Sequence, residues 1–457
     1  MRKFLLFAAF AAMLIACGEP DVPVVEDPNQ SETPNPADLT PLTLSVPVTN
    51  NWIYEGKPEI TINAKNLNDV EMDAQVKVYF YTDKKKQLDI VEFTEKVPAK
   101  GSKDLKVSPN VELTPGFYKA TCAVNGKIAR SFVFGVSPEQ IVSAPDMQAD
   151  FNEFWQAAKD QLEAIDMNPV LTEITSKSTS ARKVYLVELQ SVPDGLTGEP
   201  VTVRGYYCEP QDGEKHPVLI HFYGYDDQKP NSKASCPSGG SSATYAEFYF
   251  STRGQVLNNR PANLREPDGK GDFVNIYGDW FAYNFGDKDS YYYRGAFMDC
   301  VQAVRFMATR PTSDMNNLFA EGNSQGGAFS YAAAALSDYP FTAIAPGVAF
   351  LGDFPDYFDI VSWPGSTARA NQGSMSDEEM FAFLSYFDTK NLATRISCAV
   401  FADSGLQDGT CPPHTNVAPF NNLKSTVKRM DYHPEMKHEI HSNWSYDYGK
   451  FFKENMK

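Results

Sequence analysis

The sequence predicts an α/β fold with a mostly parallel sheet, preceded by a small β-sandwich of immunoglobulin-like type. From about residue 144 onward, strand-like runs alternate with helical stretches, which indicates a mostly parallel sheet covered on both faces. Between about residues 40 and 136, only period-2 runs separated by turn clusters occur, with no helical period. A chain of 457 residues is long enough for two such folded units.

The first residues have the pattern of a bacterial lipoprotein signal. Two basic residues precede an apolar run, Phe4–Ile15, that is too short for a stable membrane anchor. Ala16 then precedes Cys17, which predicts lipidation of Cys17 after removal of residues 1–16. The alternative is a plain secretory signal with an incidental cysteine. Residues 17–39 are polar, acidic and Pro-rich, so we expect a disordered tether that holds an exported body off the membrane of the cell envelope.

The charge balance excludes some classes of partner. There are 41 basic and 58 acidic residues, for a formal net charge of −17. Such a chain does not favour nucleic acid or an anionic membrane surface, and the only predicted membrane contact is through the lipid. The six cysteines after Cys17 have no metal-ligand spacing, and we expect most of them to be buried free thiols.

The first folded unit, residues 40–137, is predicted to contain strands only. Its period-2 runs are Glu59–Ala64, Ala74–Tyr81, Gly116–Val124 and Ala129–Phe134. No catalytic group of residues stands out in this unit, so it is interpreted as a spacer or packing domain. The alternative is a carbohydrate-binding domain, in which Trp52 and Tyr54 would stack on a sugar.

The second unit, residues 138–457, begins with an amphipathic helix over Asp150–Leu162. The predicted strands and helices that follow are Val184–Glu188, Val201–Tyr207, Val218–Phe222, a helix over Tyr293–Met307, Leu318–Ala320, a helix over Ala328–Leu336, Ala399–Phe401, Val427–Met430 and a terminal helix over Ser445–Phe452.

The segment Gly322–Gly326 carries the pattern Gly-x-Ser-x-Gly between an apolar strand and an Ala-rich helix. In that context a sharp turn holds the serine in a strained backbone conformation, and glycines flank it because side chains would clash in the turn. Gln325, the residue after Ser324, can offer its backbone N–H to a developing oxyanion. The sequence therefore predicts a serine hydrolase with Ser324 as the nucleophile.

An activated serine needs a base and an orienting acid, and both follow the nucleophile in this type of fold. Position favours His438, which lies in a loop after the last strand, although three other histidines also follow Ser324: His414, His433 and His441. For the acid, Asp403 and Asp408 lie in the same loop, and spacing does not separate them. The second oxyanion donor is expected where the strand Val218–Phe222 ends at Tyr223-Gly224-Tyr225.

From about Gln148 to its end, the chain resembles the acetyl xylan esterase/cephalosporin-C deacetylase family, carbohydrate esterase family 7, of the α/β-hydrolase superfamily. Six motifs occur in the family's order over some three hundred residues. They are Arg253-Gly254-Gln255, Tyr291–Arg294 followed by Asp299, Ser324–Gly327, Tyr386–Ala393, Gly405–Pro413 and His438-Glu439.

Carried over position by position, the resemblance implies Ser324 as nucleophile, Asp408 as acid and His438 as base. It also implies an oxyanion hole from the backbone N–H groups of Tyr225 and Gln325. The chain departs from the family at Asn323, Tyr223 and His414, none of which is a catalytic position but all of which could line the pocket.

The resemblance implies a serine esterase that removes acetyl groups from acetylated oligo- or polysaccharides, with no metal and no cofactor. It also implies a homo-oligomer. Two alternatives remain at this stage. The first is an α/β-hydrolase acting on another small ester or amide. The second is a lipoprotein that binds glycans without cleaving them, although the intact Ser324, Asp408 and His438 count against it.

Overall fold

The computed structural model describes residues 39–225, 236–240, 243–258 and 277–457. The predicted signal segment, the lipidation site at Cys17 and nearly all of the tether lie outside these ranges. Within them, no helix is both long enough and apolar enough to cross a bilayer.

The N-terminal unit consists of two sheets packed around one apolar core. Its strands are β1 (Thr43–Ser45), β2 (Ile53–Tyr54), β3 (Ile60–Lys65), β4 (Met72–Thr82), β5 (Gln87–Val97), β6 (Ser102–Val107), β7 (Gly116–Val124) and β8 (Lys127–Val136). Their order is β1-β3-β6 in one sheet and β2-β8-β7-β4-β5 in the other. Alternating side chains, such as Ile60, Ile62 and Ala64 of β3, point into the core, as a period-2 pattern requires.

The sugar-stacking interpretation of Trp52 and Tyr54 is wrong. Trp52 is 1% exposed and Tyr54 is 6% exposed, so neither ring can present a face to a glycan. Trp52 packs against Phe132 with ring centroids 4.2 Å apart, and the guanidinium of Arg130 lies over its ring. Both aromatics therefore belong to the core of the unit.

The second unit is built on a nine-stranded sheet. Its strands are β9 (Val170–Glu173), β10 (Arg182–Ser191), β11 (Val201–Pro210), β12 (His216–Phe222), β13 (Ala246–Ser251), β14 (Ser313–Asn323), β15 (Ala343–Gly347), β16 (Ala399–Gly405) and β17 (Lys428–His433). The order is β17-β16-β15-β14-β12-β13-β11-β10-β9. The six strands from β17 to β13 are parallel, and the remaining three pairings are antiparallel.

Helices cover both faces of this sheet, which confirms the predicted α/β class. They are α1 (Phe151–Glu163), α2 (Tyr292–Ala308), α3 (Gln325–Leu336), α4 (Phe354–Ile360), α5 (Gly365–Asn371), α6 (Asp377–Leu384), α7 (Thr389–Ala393), α8 (Pro413–Asn421) and α9 (Trp444–Asn455). The first three pack on one face within the largest apolar core, and α9 packs Trp444 and Phe452 on the other face. Because the central strands are parallel, their carboxyl ends meet at one edge, where β12, β14, β16 and β17 lead into the candidate catalytic loops.

All six cysteines in the described ranges are free thiols, and four of them are buried. Burial raises the pKa of Cys122 and of Cys398 to about 12, so neither thiol is a nucleophile at neutral pH.

Candidate active site

Ser324 lies at the turn between β14 and α3, in a backbone conformation that residues other than glycine rarely adopt. Its φ is 57° and its ψ is −119°. Its N–H donates to the carbonyl oxygen of Gly347, 2.9 Å away, which anchors the turn to β15. A Cβ at Gly326 would collide with the carbonyl oxygen of Phe222, and one at Gly322 would collide with the backbone of Gly326. Neighbouring backbone therefore comes too close to both positions for any residue with a Cβ, which is the reason that the turn motif requires glycine there.

Ser324, His438 and Asp408 form one continuous hydrogen-bonded chain. The Oγ of Ser324 lies 3.0 Å from Nε2 of His438, and Nδ1 of His438 lies 2.8 Å from Oδ2 of Asp408. The other oxygen of Asp408 accepts hydrogen bonds from the backbone N–H groups of Thr410 (2.7 Å) and Cys411 (2.8 Å). Both carboxylate oxygens are thus fixed, which leaves His438 a single favourable ring orientation.

The surroundings of His438 favour its protonated form. Burial alone would lower the pKa of this imidazole, but its hydrogen bond to Asp408 and its contact with Cys411 outweigh burial and raise the pKa above the ordinary 6.5. This arrangement stabilises the imidazolium that forms when His438 accepts a proton from Ser324.

The loop after β12 passes directly over the nucleophile. A Cβ at Gly224 would lie 3.3 Å from the carbonyl oxygen of Asn323 and 3.9 Å from Cβ of Ser324, so the backbone from Tyr223 to Tyr225 borders the reaction centre. Tyr225 follows Gly224 in this loop, and Gln325 is the first residue of α3. The two residues predicted to supply the oxyanion donors therefore belong to the two segments that adjoin Ser324.

Gln255 holds this loop in position. Its side-chain amide donates to the carbonyl oxygens of Tyr223 and Gly224, both at 3.1 Å, and the side chain is 1% exposed. The same tripeptide contains Arg253, which forms a buried ion pair with Asp299 of α2 at 2.8 Å. Arg253–Gln255 and Asp299 therefore hold the loop after β12 in place. Their sequence alone does not indicate this role.

Aromatic side chains surround the ring of Tyr225, which follows Gly224 in the loop that borders the nucleophile. The ring of Tyr225 packs against Trp280 (centroids 4.9 Å apart), Trp363 (5.5 Å) and Phe350 (6.1 Å). Phe350 also donates its backbone N–H to the carbonyl oxygen of Ser324 at 3.0 Å. This cluster of rings is therefore tied to the nucleophile turn through the backbone of Phe350.

The other acidic and histidine candidates lie in two separate groups. Asp403, at the end of β16, contacts His441 (3.0 Å) and His433 (3.4 Å) and makes no hydrogen bond to His438. His414, at the start of α8, contacts Asp353 at 3.1 Å and Asp356 at 3.0 Å. Of the four histidines after Ser324, His438 is the one in contact with the serine.

The N-terminal unit contacts the loops that carry the acid and the base. Gln407, next to Asp408, accepts from the N–H of Val133 in β8 (2.9 Å) and donates to its carbonyl oxygen (3.0 Å). It also donates to the carbonyl oxygen of Pro434 at 2.7 Å, within the loop that leads to His438. Arg130 of β8 pairs with Glu435 of that loop at 2.8 Å. The N-terminal unit therefore packs against the segments that carry Asp408 and His438.

Comparisons with known proteins agree on one family. A family model described as acetyl xylan esterase (AXE1) matches residues 140–456. The acetyl esterase Axe7A of Xylanibacter ruminicola is 26% identical over 319 residues, which are 67% of this chain and 67% of that protein. The crystal structure of acetyl xylan esterase 1 from Thermoanaerobacterium sp. JW/SL YS485 is similar with a TM-score of 0.58 at 25% identity, covering 70% of this chain and 98% of its own. The acetyl xylan esterase from Paenibacillus sp. R4 gives 0.57 at 24% identity, with the same coverage.

Proposed function

Because this chain belongs to the acetyl xylan esterase family, and is therefore a carboxylic ester hydrolase with an α/β-hydrolase fold, we propose that it removes acetyl groups from acetylated oligo- or polysaccharides through a Ser-His-Asp acyl-enzyme mechanism. The observation that carries this mechanism is the continuous hydrogen-bonded chain from Ser324 Oγ through His438 to Asp408.

In the first half-reaction, Ser324 Oγ attacks the acetyl carbonyl carbon while His438 Nε2 accepts its proton. The carbonyl oxygen becomes an oxyanion, to which the backbone N–H groups of Tyr225 and Gln325 donate. The tetrahedral intermediate collapses to an acetyl-serine, and the sugar hydroxyl leaves with the proton from His438. Water then attacks the acetyl-serine with His438 again as base, and acetate is released.

The pocket chemistry supports a short, neutral acyl group. Tyr225 of the loop beside Ser324 packs in a cluster with Trp280, Phe350 and Trp363, and none of these four side chains carries a charge that would favour a charged acyl chain. The curated relative is an acetyl esterase, which agrees with a short, neutral acyl group.

The test is a chain-length series of p-nitrophenyl esters together with acetate release from acetylated xylan, mannan and pectin. We expect turnover to fall steeply from acetate to octanoate, and acetate to be released from at least one of the glycans. Ser324→Ala is the control and should abolish both activities while the melting midpoint is unchanged. Octanoate turnover equal to or above that of acetate would rule out the acetyl specificity, and a wild-type chain that binds glycan but cleaves no ester would be a binding protein.

We further propose that the mature protein is anchored to the cell envelope through a lipid on Cys17. The supporting pattern is the apolar run that ends at Ala16-Cys17 and the acidic, Pro-rich segment behind it. Cys17→Ala should move the protein from the membrane fraction to the soluble fraction, and continued membrane association of this variant would contradict lipidation. Protease accessibility on intact cells would then distinguish the outer surface from the periplasm.

A further inference from the structure

We propose that Asp403, His433 and His441 bind a divalent transition-metal ion that fastens both ends of the loop carrying His438. The proposal goes beyond the esterase function and assigns the ion no part in ester cleavage. One donor atom from each of these three side chains lies within 4.8 Å of the other two.

Two of the three distances between the donor atoms are close to the edge length of a zinc tetrahedron. Oδ2 of Asp403 is 3.0 Å from Nδ1 of His441 and 3.4 Å from Nε2 of His433. Zinc bonds to imidazole nitrogen and carboxylate oxygen are roughly 2.0–2.1 Å long, so the edges of a zinc tetrahedron measure about 3.3 Å. Two imidazoles and one carboxylate are also a donor set that suits zinc and its neighbours better than calcium or magnesium.

Two donor atoms at this site lack the hydrogen bonds that burial demands. Within the described residues, Oδ1 of Asp403 and Nε2 of His433 are buried and have no hydrogen-bond partner. Asp403 is 1% exposed, so an unsatisfied oxygen on its carboxylate is costly. A cation placed between the three side chains would satisfy the nitrogen of His433 and would neutralise the carboxylate.

The second nitrogen of His441 has the partner expected of a metal ligand. Its Nε2 lies 2.9 Å from Oδ2 of Asp447, the first acidic residue of α9. Metal-binding histidines regularly donate their other ring N–H to a carboxylate, which fixes the tautomer and turns the free nitrogen toward the ion. In this chain Nδ1 of His441 is hydrogen-bonded to Oδ2 of Asp403 at 3.0 Å, and an ion bound by both side chains would take the place of the shared proton.

The side chain of Asn323 lies next to this site. Its Oδ1 is buried without a hydrogen-bond partner among the described residues. A Cβ at Gly347 would lie 2.5 Å from this oxygen and 3.2 Å from Oδ1 of Asp403, so both oxygens face the same glycine. A water molecule would be the fourth ligand. Since Asn323 directly precedes Ser324, the site lies immediately behind the nucleophile turn.

The position of the ligands in the chain indicates what the ion would do. His433 ends β17 and His441 precedes α9, so the two histidines bracket the loop that holds His438. Asp403 lies on β16, the strand that leads to Asp408. One ion would therefore connect the loop that carries His438 to strand β16, which leads to Asp408. Loss of the ion would make the positions of His438 and Asp408 less fixed, while both residues remain present.

A second group of possible ligands, Asp353, Asp356 and His414, does not support the same inference. Lys390 lies 3.0 Å from Asp353, and Lys84 pairs with Asp356. These carboxylates already have cationic partners that would repel a metal ion.

The test is the metal content of the full chain, purified without a histidine tag. After incubation with excess Zn²⁺ and gel filtration, elemental analysis should give about one equivalent of zinc per chain. Chelation should remove it and lower the melting midpoint, and added Zn²⁺ should restore both. Substitution with Co²⁺ should give the intense visible absorption bands of a tetrahedral site with nitrogen ligands.

His441→Gln and His433→Gln should each lose the zinc, the cobalt bands and the effect of chelation on melting. His216→Gln is the matched control, because this histidine pairs with exposed Asp212 and should leave the metal content at one equivalent. His414→Gln should also retain the zinc. The proposal would be overturned by less than a tenth of an equivalent of zinc in the wild type. It would also be overturned if the double variant of His433 and His441 retained the zinc, or if His414→Gln lost it. None of these readouts depends on esterase activity.

Discussion

At the scale of single residues, Asp408 is the acid that contacts His438, with both of its carboxylate oxygens engaged. We expect Asp408→Asn to lower kcat by on the order of 10⁴-fold, because an amide cannot stabilise the imidazolium and favours the wrong tautomer of His438. The measurement is steady-state hydrolysis of p-nitrophenyl acetate. Asp431→Asn is a matched control, since Asp431 pairs with Arg429 on the surface of β17.

The variant Asp403→Asn tests the choice between two acids that spacing alone left open and that the family resemblance assigned to Asp408. Asp403 faces His441 and His433 and has no hydrogen bond to His438, so we expect its loss to cost far less activity than the loss of Asp408. The assignment of the acid would be wrong if Asp403→Asn were the more damaging change and Asp408→Asn kept most of the activity.

The pH profile should report the raised pKa of His438. The base must be neutral to accept the proton of Ser324, so activity should increase as the pH rises through that pKa, with a midpoint above 6.5. In Asp408→Asn the main cause of the rise is removed, and the midpoint should move to lower pH as the maximum falls. Because the pKa of His438 is raised to about 10, we would measure kcat/KM for p-nitrophenyl acetate between about pH 5 and 11, corrected for spontaneous hydrolysis. A wild-type midpoint below 6.5 would contradict this interpretation.

At the scale of elements, the loop after β12 depends on a side chain from outside it. Gln255→Leu removes the two hydrogen bonds to the carbonyl oxygens of Tyr223 and Gly224 while nearly preserving side-chain volume. A displaced oxyanion donor costs about 10- to 100-fold in kcat, and KM should change less because the oxyanion forms only after the substrate is bound. The control is Gln156→Leu, an exposed position on α1. Equal effects on KM and kcat, or none on either, would show that Gln255 does not position this loop.

The elements themselves were predicted unevenly. The strand β7 lies over Gly116–Val124 as predicted, because its apolar residues are bounded by turn residues on both sides. The strand β5, Gln87–Val97, was missed because charged residues interrupt its pattern and it is paired on one side only, at the edge of its sheet. The short helices from α4 to α8 were also missed, since elements of five to nine residues owe their stability to packing and carry little periodic signal.

At the scale of the whole molecule, the N-terminal unit braces the catalytic loops through Gln407. We expect Gln407→Ala to lower kcat by roughly tenfold, because the loops of Asp408 and His438 lose their shared tie to Val133. The melting midpoint should also fall, since partly buried backbone groups of Val133 and Pro434 lose their hydrogen-bond partner. Gln140→Ala, at an exposed position after β8, is the control. A drop in melting midpoint with unchanged kcat would reduce the role of Gln407 to stability alone.

The junction of the two units also has a charge network with a defined pH dependence. Burial alone would lower the pKa of His414, but hydrogen bonds to Asp353 and Asp356 raise it to about 9, and Asp83 of the N-terminal unit lies 3.7 Å away. A folded-state pKa above the unfolded value contributes stability that is fully present below pH 6.5 and is lost as the pH rises through about 9. The contribution is on the order of 3 kcal/mol at most.

The test of this network is the melting midpoint of the wild type and of His414→Gln across that pH range. The pKa of His221 is also raised to about 9, by Glu247 and Glu321 against the effect of burial, so the wild type loses stability from more than one histidine. The quantity of interest is therefore the difference between the two proteins, which should shrink as the pH rises. A difference that is constant between pH 6 and 10 would contradict the role assigned to His414.

The sequence by itself determined the class of the fold, the nucleophile turn and the family, because these depend on local patterns: period-2 runs, glycines around Ser324 and ordered motifs. Spacing alone left open which of four histidines contacts Ser324 and which of two aspartates contacts that histidine. Only the tertiary structure decided which contacts form, since Asp403 and Asp408 are five residues apart in the chain yet face different histidines across the ends of β16 and β17. The burial of Trp52 and the hydrogen bonds between Gln407 and Val133 also became known only from the tertiary structure. Both depend on contacts between distant parts of the chain, and no local pattern records such contacts.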